Sequence, residues 1–339
     1  MKLITFTVPC YNSEAYMEHC IESLLPAGDE AEIILVDDGS TDSTGAIIDR
    51  YAREYPGRVR AIHQENGGHG EGVNQGIRHA EGLYYKVVDS DDWLDNAALS
   101  RLMDKLRMFS RMDHPVDLVL CNYVYEHVAD QSQHVMRLKN ALPVDRVFTW
   151  NEVGRFNSAQ FITMHTAIYR TEVLRLSGLM LPKHTFYVDN LFVYQPLPHV
   201  HSLWYLDIDL YRYFIGRDDQ SVTEENLIRR IDQQILVTRL LIDAHDLEKL
   251  ETTNRRLAGY MYHYLSMMLM ICTIYLWLSD TPENLGKADR LWDELRVSRP
   301  SLYRRMRYRS ANILLLPGRV GRGIDLFVYR QLRKFFKFN

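Results

Sequence analysis

Three aspartates crowd the end of an apolar run in "VVDSDDW", where Asp89, Asp91 and Asp92 are separated only by Ser90. Like charges at the mouth of a buried strand repel one another and pay desolvation unless something positive neutralises them, so the pattern asks for a cation. On extended backbone, residues i and i+2 point the same way, which brings Asp89 and Asp91 together and turns Ser90 aside. Oxygen ligands of this kind suit Mg2+ or Mn2+, which bind through one or two carboxylates plus substrate phosphates. Asp92 and Asp95 have a second reading as N-terminal caps of the helix that follows, and for Asp95 that is the reading adopted. A second acidic cluster lies in "VDDGSTDST". Asp37 and Asp38 end a strand and Gly39-Ser40 turns the chain into a helix. Asp42 reads as a cap, whereas Asp38 can accept from a base N–H or a ribose hydroxyl. The loop "ENGGHGEGVNQG" is neither a P-loop nor a dinucleotide fingerprint, and its His69 reads equally as a phosphate contact or a solvated loop residue. Asp189 in "TFYVDNLF" is either a surface carboxylate or, in a pocket, a proton acceptor for a hydroxyl nucleophile. "YRYFIGRDDQSVT" offers Arg212, Arg217, Gln220 and Ser221 as phosphate donors, or is an ordinary polar loop.

The elements around these residues alternate. Leu3–Val8, Glu32–Val36, Val59–His63, Leu83–Val88 and Val116–Val124 read as strands. Helices between them are marked by Met17, Cys20, Ile21 and Leu24, with Ser13 as N-cap, and by Leu99, Leu102, Met103 and Leu106. Such alternation predicts an α/β fold, a mainly parallel Rossmann-like sheet flanked by helices, with ligands beyond the carboxyl ends of the strands. Both acidic clusters fall there and should share one crevice. Residues 126–222 are less regular, and from about Asn226 helical patterns dominate. The chain is therefore expected to comprise an α/β domain over 1–222 (a regular part to about 125, a less regular part after it) and a helical region over 223–339.

Taken in order, "VPCYN", "VDDGSTDST", "ENGG", "NQGI", "AEGLYYKVVDSDD", "FYVDNLF" and "GRDDQSVT" resemble the family 2 glycosyltransferases of the GT-A fold, over about residues 1–223. The resemblance implies an inverting transferase that takes a sugar from a nucleotide diphosphate, most often UDP, with Mn2+ or Mg2+. Carried over by motif, Pro9, Tyr11 and Asp38 would meet the base, Asp89 the ribose side, and Asp91 the metal on the diphosphate. Asp189 would be the general base, while Arg212, Gln220 and Ser221 would close over the diphosphate. Asn12, Asn66, His69, Asn74 and Ser90 complete the implied nucleotide-sugar contacts. Two positions depart from the family pattern: Val188 stands where a Glu usually precedes the base, and Val73 where an Arg usually precedes Asn74. Phosphate contacts would then come from His69 or backbone N–H groups. A sugar-1-phosphate nucleotidyltransferase is an alternative, but "FTVPCYNSEAY" lacks the Gly-rich basic loop such an enzyme needs. A non-catalytic protein of this fold is a third reading, opposed by Asp38, Asp89, Asp91 and Asp189.

The 339 residues are 46% hydrophobic and 25% charged, ordinary for a globular protein. Four widely spaced cysteines make neither a disulfide framework nor a CxxC site, and they point to a reducing, cytoplasmic setting. "MKLITFTVPCYNSEAY" turns polar too early for a secretory signal and reads as a first strand. "LAGYMYHYLSMMLMICTIYLWL" is long enough to span a bilayer, but His263, Ser266 and tyrosines away from its ends favour a buried helix. The net charge of -4 is unevenly spread: from Arg296 onward twelve Lys or Arg meet the single acid Asp325, so the remainder carries a surplus of fifteen negatives. This basic tail, 296–339, can dock peripherally on an anionic membrane, which would suit a glycan or lipid-linked acceptor on the inner face of the cell membrane. It can equally pack against the acidic remainder or a second subunit in a homo-oligomer. Nucleic acid is a weaker reading, because no binding motif accompanies the charge.

Overall fold

The computed structural model describes residues 1–127, 131–157, 160–215, 224–310, 312, 315 and 318–336. It divides into two compact units, Met1–Gly216 and Arg217–Asn339.

The first unit is one mixed sheet with helices. Its strands are β1 (Ile4–Cys10), β2 (Ala31–Asp37), β3 (Val59–His63), β4 (Tyr84–Val87), β5 (Trp93–Leu94), β6 (Leu118–His127), β7 (Ser132–Met136), β8 (Val147–Phe148), β9 (Ala167–Arg170) and β10 (Leu203–Ile215). Helices α1 (Met17–Leu24), α2 (Thr44–Glu54), α3 (His69–His79), α4 (Asn96–Phe109), α5 (Thr171–Leu176) and α6 (Asp189–Tyr194) connect them. The strand order is β3-β2-β1-β4-β9-β6-β10-β5, with β7 beside β6 and β8 beside β10. The half formed by β3, β2, β1 and β4 is parallel throughout. β9 then runs antiparallel to both β4 and β6, and β6 and β10 are parallel to each other. β1 and β2 are buried along their whole length, as their unbroken apolar runs require of central parallel strands.

Register sets the carboxyl edge. Cys10 lies opposite Asp37, Asp37 opposite His63, and Thr7 opposite Val87, so β1 to β4 discharge their loops on one edge. α3 lies against β1 with no side chain between them at two positions. A Cβ on Gly72 would come within 2.9 Å of the Pro9 side chain, and one on Gly76 would collide with Thr7 and Tyr85. Ser13 is not the N-cap of α1. Its carbonyl closes a turn onto Tyr16 and Met17 at 3.1 Å each, and Tyr16 occupies the cap position without a side-chain bond.

The second unit is helical: α7 (Glu224–Arg229), α8 (Ile231–Ala244), α9 (Leu247–Thr253), α10 (Arg255–Leu278), α11 (Pro282–Ser298), α12 (Pro300–Tyr308) and α13 (Gly318–Phe336). α10 is its central helix. By length and composition it is apolar enough to cross a membrane, yet 61% of its apolar window is buried within the protein. Polar groups along α10 find partners inside the unit: Trp292 donates to Thr273 Oγ1 at 3.0 Å, and the Asn312 amide donates to the Ser266 carbonyl and hydroxyl at 3.1 Å each.

Candidate functional site

The loops leaving β1, β2 and β4 are tied together by short polar side chains. Asn12, held at φ 48°, accepts from the Thr41 N–H at 2.8 Å, and its own N–H donates to Ser40 Oγ at 3.1 Å. Ser13 Oγ meets Ser90 Oγ at 2.9 Å, which joins the first loop to the acidic turn after β4. Tyr11 beside them is half exposed. The two acidic clusters therefore do open on one edge, linked through Asn12, Ser13, Ser40 and Ser90.

The clusters differ in what their carboxylates touch. Asp37 accepts from the Ser40 N–H at 2.9 Å and pairs with His63 Nδ1 at 2.9 Å. Burial raises its pKa, but these hydrogen bonds outweigh burial and the net shift is downward. Asp38 is buried and holds the glycine loop. Its Oδ1 accepts from Gly67 N–H at 2.7 Å and Gln64 Nε2 at 2.6 Å, and its Oδ2 from Gly68 N–H at 2.8 Å. Asn66 donates to the Asp38 carbonyl at 2.9 Å. Gly68 sits at φ 81°, with His184 N–H 2.9 Å from where a Cβ would stand, so only glycine fits the entry to α3. Asp42 is not the cap of α2, a position that Ser43 occupies; it accepts from the Thr44 N–H at 2.9 Å from one residue ahead of the cap.

After β4 the chain does not stay extended. Asp92 N–H donates to the Asp89 carbonyl at 3.0 Å, closing a turn over Asp89–Asp92, so the i, i+2 alternation assumed for Asp89 and Asp91 does not operate here. The turn gathers Asp89 and Asp92 with His165. One ligand atom from each lies within 4.8 Å of the other two. His69, the first residue of α3, meets Asp89 Oδ1 at 2.8 Å, and His165 Nε2 stands 3.7 Å from Asp89 Oδ2. Burial raises the Asp89 pKa, but the two imidazoles overcome it and hold the group well below the usual carboxylate range. Burial opposes charge on His69, yet the Asp89 contact and the fields of Asp189 and Asp91 raise its pKa. Asp92 is fully buried, accepting from Tyr211 Oη at 2.6 Å and from the Phe214 N–H at 2.9 Å. Burial, then Asp91 and Asp89, push its pKa well up. It does not cap α4; Asp95 does, accepting from the Ala98 N–H at 3.0 Å.

Asp189 opens α6, after Tyr187 at φ 66° and the buried Val188. Burial raises its pKa, while His165 and His69 work against that and Asp89 adds to it. The charges of the same two imidazoles thus act on both Asp89 and Asp189. Beneath them lies Lys86, wholly buried. Its Nζ donates to the His165 carbonyl at 2.7 Å and stands 4.9 Å from the centre of the Tyr211 ring. Burial lowers its pKa to about 8, against the pull of Cys121, Asp89 and Asp92.

Two expected contacts have other duties. Asn74 is buried, with its amide committed to the backbone of Leu181 at 2.9 and 3.0 Å and to Glu71 at 3.1 Å, so it fastens α3 to the 181 segment. Arg212 is paired with Glu126 at 2.9 Å and Asp95 at 3.1 Å, which leaves its guanidinium engaged inside the protein. Arg217, Gln220 and Ser221 lie outside the described residues. Sequence reasoning gave no role to His165, Tyr211 or Lys86. The available signals were a histidine just ahead of the apolar strand "TAIYR", and a lysine inside an otherwise apolar run.

Residues 5–176 match the family model described as glycosyl transferase family 2. The glycosyltransferase EpsJ of Bacillus subtilis is 32% identical over 229 residues, covering 66% of this chain and 63% of EpsJ. Glycosyltransferase GlyG of Streptococcus pneumoniae is 30% identical over 219 residues, covering 57% of this chain and 71% of GlyG. Among solved structures, residues 1–349 of Staphylococcus aureus TarS in complex with UDP-GlcNAc superpose with a TM-score of 0.60 at 19% identity, covering 99% of this chain and 92% of that one. At that identity the likeness speaks for the fold, a GT-A-like α/β sheet followed by helices.

Proposed function

Because the chain belongs to glycosyl transferase family 2, we propose that it moves a sugar from a UDP-sugar to an acceptor hydroxyl with inversion at the anomeric carbon. The observation that carries this reading is Asp89 held by His69 at 2.8 Å and faced by His165 at 3.7 Å, with Asp189 in the field of the same two imidazoles. One carboxylate is held ionised beside a group able to hold a cation, and the other is made more basic by burial. Asp189 accepts the acceptor hydroxyl proton as that oxygen bonds to the anomeric carbon and the bond from that carbon to the diphosphate oxygen breaks. A single displacement of this kind inverts the centre. Tyr11, Pro9, Asn12 and Asp38 would shape the base pocket, and Ser90 and Asp89 the ribose side. Asn66 and Asp38 keep the glycine loop in place, and His69 at the start of α3 would offer its imidazole to the diphosphate. Gln220 and Ser221 are kept as further diphosphate contacts.

Asp89, Asp92 and His165 offer two carboxylate oxygens and an imidazole nitrogen at mutual distances within 4.8 Å, a donor set that fits Mn2+ or Mg2+. Asp91, whose charge acts on both His69 and Asp92, would complete it. When bound, the metal neutralises charge on the departing diphosphate. Support for this use comes from a mannosyltransferase of Pyrobaculum calidifontis, solved with GDP-Man and Mn2+, which superposes with a TM-score of 0.51 at 14% identity and covers 96% of this chain and 86% of that one. TarS is a poly(ribitol-phosphate) β-N-acetylglucosaminyltransferase, and a chondroitin synthase of Escherichia coli is 37% identical over 106 residues. A glycan or lipid-linked acceptor in surface polysaccharide or cell-wall synthesis is the assignment these names support. The four cysteines are unpaired and buried, which supports a reducing, cytoplasmic setting for the proposed reaction.

Thermal shift tests the donor assignment. UDP and a UDP-sugar with Mn2+ should raise the melting temperature, since a ligand at a hundred times its Kd adds about 2.7 kcal/mol. EDTA should reduce that shift, and GDP-mannose should give less. A chain stabilised by no uridine nucleotide is not a UDP-sugar transferase.

A further inference from the structure

α13 is fixed to the rest of its unit along one side. Tyr329 Oη meets Tyr275 Oη of α10 at 3.2 Å, and just ahead of the helix the Asn312 amide is buried against Ser266 of the same partner helix. A helix advances by about 100° per residue, so Phe327, two residues before Tyr329, faces roughly the opposite way. There the chain leaves its apolar side chains in the open: Val320 is 79% exposed, Ile324 49%, Phe327 62% and Val328 48%. Their spacing of i, i+4, i+7 and i+8 is that of one continuous stripe. Arg330, also exposed, stands one turn beyond Phe327. The helix sequence carries Arg319, Arg322, Arg330, Arg333 and Lys334 against the single acid Asp325.

We infer that α13 is a membrane-surface anchor, lying in the plane of an anionic lipid bilayer with the Val320–Ile324–Phe327–Val328 stripe among the upper acyl chains and its basic residues at the phosphates. Charge complementarity selects this occupant. A second copy of the helix would bring two strongly basic surfaces together, and a nucleic acid would leave four apolar side chains in water, whereas an anionic bilayer takes up both the stripe and the charge. The depth is that of an interfacial helix, about 5–10 Å. The span-length helix α10 is the packed centre of its unit, so the attachment is peripheral. This anchor does not depend on the sugar-transfer reading, since it needs no catalytic residue.

The experiment is vesicle flotation of the full chain. Vesicles containing phosphatidylglycerol should carry the protein upward, phosphatidylcholine alone should carry much less, and added salt should weaken the effect. Ile324→Glu combined with Phe327→Glu should reduce binding about tenfold or more while lowering the melting temperature little, because both side chains are about half exposed or more. Arg330→Glu should cost about fivefold on anionic vesicles only. Failure to float, equal flotation on phosphatidylcholine alone, or equal flotation of the double variant would overturn the inference. So would a concentration-dependent dimer in light scattering that the double variant abolishes, with no vesicle binding, since the stripe would then belong to a second copy.

Discussion

The two acidic clusters at the carboxyl edge of the sheet carry nearly the same residues and do opposite things with them. In the Asp37–Asp38 cluster every carboxylate oxygen meets a donor of the protein itself: Ser40, His63, Gln64, Gly67 or Gly68. Its charge is matched internally, and the result is a rigid pair of loops. In the Asp89–Asp92 turn the donors are mostly side chains from distant segments: His69 and His165 stand on Asp89, Tyr211 Oη and the Phe214 N–H on Asp92, and burial, then Asp91 and Asp89, push Asp92 toward protonation. Negative charge is in excess there. An acidic motif becomes architecture when nearby N–H groups meet every carboxylate oxygen; where imidazoles from other segments do that work instead, the proposed cation would have a carboxylate to answer to.

The sharpest test of that contrast is at Asp189, which belongs to the unbalanced site. Asp189→Asn should lower transfer by about 10² to 10⁴-fold while UDP binding persists. Turnover near wild type in a radiolabelled transfer assay would move the proton acceptor elsewhere. Next comes Lys86, whose pKa is about 8 in the fold. An unfolded lysine titrates near about 10.4, so across that interval the unfolded chain holds a proton the folded chain has released. Stability of the parent relative to Lys86→Met should therefore rise with pH, by about 3 kcal/mol over the full window. A flat difference in denaturation series at successive pH values would remove the lysine from the charge balance. The clusters themselves can then be compared directly. Asp38→Asn must turn an amide N–H toward a backbone N–H and should cost about 1–3 kcal/mol. Asp92→Asn, replacing a carboxyl already disfavoured as an anion, should cost less but weaken the Mn2+-dependent thermal shift. The reverse ranking in urea denaturation would invert the assignment of the two roles. The smallest effect is at His63, half exposed between Asp37 and Asp49. Its pKa is raised by the Asp37 bond, so its contribution is present below about pH 6.5 and fades as pH climbs through the folded value. His63→Ala should cost less than about 1 kcal/mol, and only on the acid side.

What could be read in advance followed sequence distance. β1 to β4 and the helix faces of α1 and α4 are set by local periodicity, and the bonding of Asp42 and Asp95 by neighbours two or three residues away. β10 escaped notice because its ladder with β6 shifts register between Leu206 and Asp209 and again before Tyr211, which breaks the alternation a strand should display. Convergence of Asp89 with Asp91 was expected from extended geometry, but the turn after Val87 intervenes. His165 reaches Asp89 only because β9 enters the sheet beside β4, a fact of topology with no local signature. Arg212 is a phosphate contact by residue type and by resemblance, yet its partners Glu126 and Asp95 come from other elements altogether.

The bare face of α3 has a consequence for which sequences this protein can accept. Gly72 and Gly76 let the helix rest directly on β1, and that seat determines how far His69 extends toward Asp89. A side chain at either position would lift the helix off its bed and withdraw the imidazole without altering a single residue that touches ligand. In a saturation library these two glycines should be as intolerant as the aspartates. Gly57, with open space around it, should be freer in size though still held to residues that accept a positive φ. Evolution of new donor preferences in this scaffold must therefore proceed around α3 and not through it.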